Sequence, residues 1–238
     1  EYLCKVGEYW LKEADVDGYR LDVAFEVSHA FWRMFKSRCV AIKKTCILIG
    51  EDWLNSESRL SSSEWDSVMN YPFRYSLQRF YCEPGHDASW LADELNGLLM
   101  RYQENTNRMM LNLLDSHDIA RFFNYLKFDR EKLLSAFALT IMYPGWPEIY
   151  MGDEIFMEGE GDPFNRQCMK WDSKEFKSED GLLFKRILLL RQFDILKKGD
   201  WKITSQDGYF LLTRHYRGNG LALYLNESDK NLNFVPSN

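Results

Sequence analysis

Apolar positions three and four apart open the chain: Leu3, Val6, Trp10, Leu11 and Ala14 share one side of a helix over residues 2–14. Asp17-Gly18 breaks that period and leads into a first strand. A second helical period runs from Val27 to about Lys43 through Phe31, Met34, Phe35 and Val40. Thr45-Cys46-Ile47-Leu48-Ile49-Gly50 is apolar without interruption, the pattern of a strand covered on both faces in a parallel sheet, and it ends at Glu51. The serine-rich stretch 56–63 predicts a loop, and 66–72 a short strand stopped by Pro72. Helices are expected over 75–81 and 88–103, and a third apolar strand over 109–114 running into Asp115-Ser116-His117-Asp118. A helix over 130–142, a strand with its loop over 147–154, an irregular loop over 159–171 and a strong helix over 182–198 capped by Gly199 complete this part.

Beyond Gly199 the texture changes. Residues 209–216 and 220–226 alternate apolar with polar and flank Arg217-Gly218-Asn219, a hairpin signal. Alternation of strand and helix up to residue 199 implies parallel βαβ units. The fold class is therefore α/β for 1–199, and 200–238 reads as the beginning of a separate all-β domain.

Composition narrows the partners. Thirty basic against 36 acidic residues leave a net charge of −6, which argues against nucleic acid and against an anionic membrane surface. Five cysteines, scattered and without CxxC spacing, argue against zinc or a disulfide framework and for a reducing compartment, hence a cytoplasmic location. There is no apolar run of about 18 residues, so no membrane span is expected. The chain opens within a helical pattern without an initiator Met or a signal peptide, so it reads as a piece of something longer. Aromatic residues at 16% suit sugar binding and a large core equally.

The chemistry concentrates at strand ends. Arg20 and Asp22 are two residues apart, and in a strand such residues face the same way. A guanidinium beside a carboxyl keeps it ionised. That is what a carboxylate nucleophile requires, although a purely structural ion pair has the same sequence. Glu51 and Asp118 also follow apolar runs, and in α/β folds the carboxyl ends of parallel strands hold the active site. Glycoside hydrolysis needs two carboxylates across the scissile bond.

Six motifs in order carry a resemblance: D-G-Y-R-L-D-V-A at 17–24, I-G-E-D-W at 49–53, D-S-V-M-N-Y-P-F at 66–73, L-N-L-L-D-S-H-D at 111–118, Y-P-G-W-P-E-I-Y-M-G-D-E at 143–154 and G-D-P-F-N-R at 161–166, with Met169 and Trp171-Asp172 after them. Over nearly its whole length the chain resembles the α-amylase family of glycoside hydrolases, and within it the neopullulanase, cyclomaltodextrinase and maltogenic amylase group. The resemblance implies a (β/α)8 barrel of which about the last five strands are present, with 200–238 opening a β-sandwich. It implies Asp22 as nucleophile oriented by Arg20, and Glu51 as acid/base with its pKa raised by apolar walls and the nearby Asp22. Asp118 would grip the hydroxyls of the sugar being cleaved, with His117 beside it. Asp162 and Arg166 would hold the next sugar, and Trp53 would stack on or wall the pocket. The implied reaction is retaining hydrolysis of α-1,4, and also α-1,6, glucosidic bonds in cyclodextrins, pullulan, starch or maltooligosaccharides.

No metal or cofactor is implied; calcium, which some relatives bind, involves regions outside these residues. The group usually dimerises through an amino-terminal domain that would precede residue 1, as would the first three strands and the family's first motif. The segment alone is accordingly expected to be inactive and poorly soluble. Phe25, Asp52 and Ile119 depart from the usual Asn, apolar residue and Thr; Asp52 would either act on Glu51 or face the other way. His29 is expected to pack, and Asp15, Asp17 and Asp153 to organise turns. The alternative is a non-catalytic, transporter-associated relative, against which the joint presence of Asp22, Glu51 and Asp118 argues.

Overall fold

The computed structural model describes residues 1–61 and 64–226. Residues 62–63 of the expected serine-rich loop and 227–238 of the expected β-domain lie outside the described residues. Helix α1 (Tyr2–Glu13) turns Cys4, Gly7 and Leu11 inward, while Leu3 and Trp10 of the expected apolar row are exposed, so the packed side is offset from the one that row marks. Strand β1 (Gly18–Leu21) follows, then α2 (His29–Ile42), whose first turn is capped by the Ser28 hydroxyl accepting the Phe31 N–H at 3.3 Å. Strand β2 (Ile47–Gly50) lies parallel to β1, with Gly18 opposite Ile47 and Leu21 opposite Gly50.

Helix α3 (Glu57–Ser61) occupies part of the stretch expected to be loop. Side-chain caps explain it: the Asn55 amide oxygen accepts the Glu57 N–H at 3.0 Å, which starts a turn that serines tolerate. Strand β3 (Ser67–Val68) pairs in parallel with β2. Proline does not simply stop this strand. Asn70 caps the next helix, and Pro72 sits in the first turn of α4 (Tyr71–Cys82), where a missing N–H costs nothing. The helix expected over 88–103 ends early as α5 (Ala88–Met100), followed by the single turn α6 (Glu104–Asn107). Strand β4 (Leu111–Asn112) precedes α7 (Phe122–Tyr125) and α8 (Arg130–Met142), and β5 (Trp146–Pro147) pairs in parallel with β4. Strand β5 is shorter than, and precedes most of, the segment expected to be strand.

The two parallel ladders, β1-β2-β3 and β4-β5, meet at one isolated bridge, Met69 to Leu111. Two buried amides reinforce this seam. Asn70 Nδ2 donates to Asn112 Oδ1 at 2.8 Å, and Asn112 Nδ2 donates to the Pro144 carbonyl at 2.8 Å. Gly145 is required here: its φ is +123°, and a Cβ would lie 2.5 Å from Asn112 Nδ2.

The helix expected over 182–198 is two helices. Helix α9 (Glu179–Leu189) starts at the Ser178 cap, a 3₁₀ turn follows at Leu190–Gln192, and α10 (Asp194–Lys198) follows extended Phe193. The break lets Arg191 donate to the Leu196 carbonyl at 2.8 Å while Leu196 packs inward. An antiparallel sheet of β6 (Asp200–Gln206), β7 (Tyr209–Tyr216) and β8 (Asn219–Asn226) closes the described chain. Strand β6 was not anticipated, because D-W-K-I-T-S-Q offers only two apolar positions.

Ile203, Phe210, Leu212 and Leu225 of this sheet share one core with residues of α4, α5, α8 and α9. Each such large side chain contributes about 1.5–3 kcal/mol on full burial. Arg214 is buried at the junction and donates to the carbonyls of Met142 (2.9 Å), Leu196 (3.0 Å) and Gly199 (3.0 Å). Among the described residues, no helix is long and apolar enough to cross a membrane. All five cysteine thiols are free.

Candidate active site

The carboxyl ends of the parallel strands gather acids around Arg20. Strand β1 ends at Leu21, so Asp22 lies just past it with a side chain 78% exposed, in the turn rather than on the strand face expected for it. The pairing with Arg20 forms all the same. One guanidinium nitrogen engages Asp22 Oδ1, and the other lies 3.0 Å from Glu51 Oε1. A single cation thus holds both carboxylates, in the forked geometry that arginine provides.

Glu51, 4% exposed, follows β2 directly. Its Oε1 also accepts the Trp53 Nε1–H at 3.3 Å, and its Oε2 accepts the Val23 N–H at 2.8 Å. Val23 makes that contact from the left-handed region (φ 43°, ψ 41°), which a β-branched residue rarely occupies. Such a conformation costs on the order of 1–3 kcal/mol and persists where the surroundings impose it. Asp52 turns away from Glu51 in its hydrogen bonding. Its carboxylate closes the next turn, accepting the Leu54 N–H at 3.1 Å and the Ser56 hydroxyl at 2.8 Å.

Trp53 stacks on Tyr71 with ring centres 4.4 Å apart, so Tyr71 covers one of its faces. The Tyr71 hydroxyl meets Ser116 Oγ at 3.1 Å, and Ser116 Oγ accepts the Asp118 N–H at 3.2 Å. Burial pushes the Tyr71 phenol up to about 12, and the charges of Glu51, Asp118 and Glu148 add to the rise while the Ser116 bond opposes it. Three acids that follow β2, β4 and β5 in sequence therefore act on this one phenol.

Asp118 lies between His117 Nε2 at 3.1 Å and the Arg166 guanidinium, whose Nη2 is at 3.2 Å. Arg166 Nε donates to the His117 carbonyl at 2.9 Å and lies 3.1 Å from Asp162 Oδ1. The loop after β5 thus clasps the loop after β4. Asn165, fully buried, strengthens the clasp by donating to the carbonyls of His117 and Ile119, each at 2.8 Å.

His29, expected simply to pack, lies 2.9 Å from buried Glu64, which also binds Arg33 and Arg59. Lys43 holds Asp15 and Asp17 in the turn before β1.

Glu148, Tyr71, Ser116 and Asn165 had no assigned role in the sequence reading. Glu148 follows β5 directly, as Glu51 follows β2, so the same strand-end rule would have found it. Its Oε2 is buried without a hydrogen-bond partner. Burial raises its pKa to about 7, against the pull of nearby Arg20 and with a push from Asp115. Among the described residues, no group of three or more His, Cys, Asp or Glu side chains is arranged to hold a metal ion.

Comparison with known proteins adds to this geometry. A family model described as the alpha amylase catalytic domain matches residues 1–185. A cyclomaltodextrinase of Thermoanaerobacter pseudethanolicus is 38% identical over 232 residues, covering 97% of this chain and 40% of that protein. An intracellular maltogenic amylase of Bacillus subtilis is 36% identical over 216 residues, covering 89% of this chain and 37% of that protein. Among solved structures, a cyclic alpha-maltosyl-(1→6)-maltose hydrolase from Arthrobacter globiformis superposes with a TM-score of 0.90 at 27% identity, covering 96% of this chain and 52% of that one. The chain therefore spans about two-fifths of the length of these two curated relatives.

Proposed function

The chain belongs to the α-amylase family, and on that premise we propose that it carries the acids of a retaining glycoside hydrolase acting on α-glucosidic bonds in cyclodextrins, pullulan, starch or maltooligosaccharides. Residues 1–199 are read as the carboxyl-terminal portion of a (β/α)8 barrel and 200–238 as the beginning of a β-sandwich. The observation that carries the proposal is the single guanidinium of Arg20 contacting both Asp22 and Glu51 beyond adjacent parallel strands.

Asp22 attacks the anomeric carbon while Glu51 passes a proton to the departing glycosidic oxygen, giving a glycosyl ester and a free saccharide. Glu51 then takes a proton from water, whose oxygen attacks the same carbon, expels Asp22 and restores the original configuration. A separation of about 5–5.5 Å between the two carboxyls suits this double displacement. Arg20 holds and aims Asp22. Asp118, steadied by His117 and Arg166, accepts hydrogen bonds from the hydroxyls of the sugar at the cleavage point. Asp162 and Arg166 hold the neighbouring sugar, and Trp53 walls the pocket with its free face. The names of the relatives support the substrate class, and the buried Glu51, held at both oxygens, supports a carboxyl fixed in place beside Asp22.

The test is kinetics of the protein that carries this chain, wild type against Asp22→Ala, on cyclodextrin, pullulan and starch. Loss of a nucleophile lowers kcat by several orders of magnitude. Equal rates would remove Asp22 from the mechanism.

A further inference from the structure

Asp22 opens a turn with an unusual backbone. Val23 lies in the left-handed region, and Ala24–Glu26 form a single 3₁₀ turn. A β-branched residue held in that region relaxes unless its surroundings prevent it. Here three successive residues are held from outside. Glu51 Oε2 accepts the Val23 N–H at 2.8 Å, the Ala24 carbonyl accepts the Trp32 Nε1–H at 2.8 Å, and the Phe25 carbonyl accepts an N–H of Arg59 Nη2 at 3.0 Å. The first of these contacts belongs to the acids themselves. The other two come from α2 and α3.

Trp32 and Arg59 are parts of one buried layer, completed by Trp65. The Arg59 guanidinium lies over the Trp65 ring, 5.4 Å from its centre, and Trp65 meets Trp32 edge-on with ring centres 6.3 Å apart. Wholly buried Glu64 aims the arginine: its Oε2 lies 3.2 Å from Arg59 Nη1, while Arg33 Nε at 3.0 Å and His29 Nδ1 at 2.9 Å reach the same carboxyl from α2. A planar guanidinium gripped by an acid at one nitrogen and resting on a ring has little freedom at the other. The same layer reaches the second strand end. Trp65 packs against Gly50, the residue before Glu51, so closely that a Cβ there would fall 2.4 Å from the ring. One indole holds the turn after β1, the other abuts the end of β2, and the two pack together.

We propose that Arg59 and Trp32 are positioning residues that fix the turn after β1 against the end of β2, and so set Asp22 relative to Glu51. This rests on the glucan-hydrolase reading for its catalytic consequence. Neither side chain is placed at the reacting atoms; each acts through a main-chain carbonyl, two or three residues beyond Asp22. The Asp22 side chain is 78% exposed and pairs with Arg20, so the backbone beneath it carries the rest of its aim. A nucleophile has to approach to about 3–3.5 Å along the right line, and small misplacements are costly. Sugar binding by Asp118, Asp162 and Arg166 uses the loops after β4 and β5. Loss of the support therefore slows the chemical step and leaves substrate binding as it was.

Two conservative variants, made in the protein that carries this chain, test the support. Arg59→Lys keeps a cation for Glu64 but lacks the second arm of the fork, and Trp32→Phe keeps a ring against Trp65 but has no N–H. Two quantities are followed below the thermal midpoint of every variant: kcat and KM on a cyclodextrin, and amide hydrogen exchange of peptides spanning residues 22–27 without substrate. Each variant is expected to lower kcat by about tenfold to a hundredfold with KM unchanged. The amides of 22–27 should exchange faster while those of β2 keep the wild-type rate. Because both residues hold one turn, the double variant should lose less than the product of the single losses. A lower midpoint with kcat, KM and exchange all at wild-type values makes the layer merely structural and overturns the proposal. So does a rise in KM with kcat unchanged. Exchange needs no turnover. A wild-type protein inert on glucans, whose 22–27 amides still exchange faster in both variants, removes the hydrolase reading and leaves the support standing.

Discussion

Replacing Glu148 with glutamine tests the electrostatics at the centre of the strand ends. The carboxyl has one buried oxygen without a partner, Arg20 on one side and Asp115 on another. Burial outweighs the arginine and lifts its pKa from 4.5 to about 7. Because the folded value lies above the unfolded one, the native state holds the proton longer than the unfolded chain does. Stability is then full below about pH 4, falls as pH rises, and levels off once the folded carboxyl has ionised near pH 7. The whole fall amounts to about 3 kcal/mol. Glutamine never ionises, so the advantage of Glu148→Gln over wild type grows by that amount across the window. The amide also brings an N–H into the buried position, at a cost of about 1–3 kcal/mol that does not vary with pH. The slope rather than the offset is therefore diagnostic. Urea unfolding at a series of pH values, with equal denaturant slopes for both proteins, measures it. Parallel stability curves between about pH 4 and 8 would show that the acid titrates normally and that the burial argument is wrong.

Three further substitutions follow from single contacts. Trp53→Phe keeps a ring on Tyr71 but removes the donor to Glu51; about 1.5 kcal/mol, or roughly tenfold in kcat/KM, is expected, and steady-state kinetics with an unchanged thermal midpoint would isolate it. Arg214→Met strips the donors from three carbonyls between α8, α10 and β6, and should lower stability by about 3 kcal/mol or more, read as a lower unfolding midpoint. Asn165→Ala frees the carbonyl of Ile119 and leaves that of His117 to Arg166 alone; a loss of about 1–3 kcal/mol is expected together with a raised KM, and an unchanged unfolding midpoint and KM would mean that the loop holds without its amide.

Periodicity carried the long elements. The apolar rows in 2–14 and 27–43 became α1 and α2, and the helix expected over 130–142 became α8, buried along most of its length. Short elements depended on caps and turns instead. Asn55 made a helix within a serine-rich stretch, Asn70 turned Pro72 from a terminator into a first-turn residue, and extended Phe193 split one apolar period into two helices. Strand β6 was hidden because only Trp201 and Ile203 interrupt its polar sequence, and its identity comes from pairing along β7. At the candidate site, acids after strands were legible one by one. The partners joining them were not, since Tyr71, Ser116 and Asn165 reach across more than forty positions of chain.

The seam between the two ladders has a consequence for how the protein meets extremes of acidity. Carboxamides neither gain nor lose protons at ordinary pH, so the Asn70–Asn112 stitch is indifferent to the medium. The roof above it hangs on acids and guanidinium groups whose mutual attraction depends on that medium. Souring or alkalising the solution should detach the roof while the masonry below still stands, and backbone hydrogen exchange would record two stages of opening rather than one.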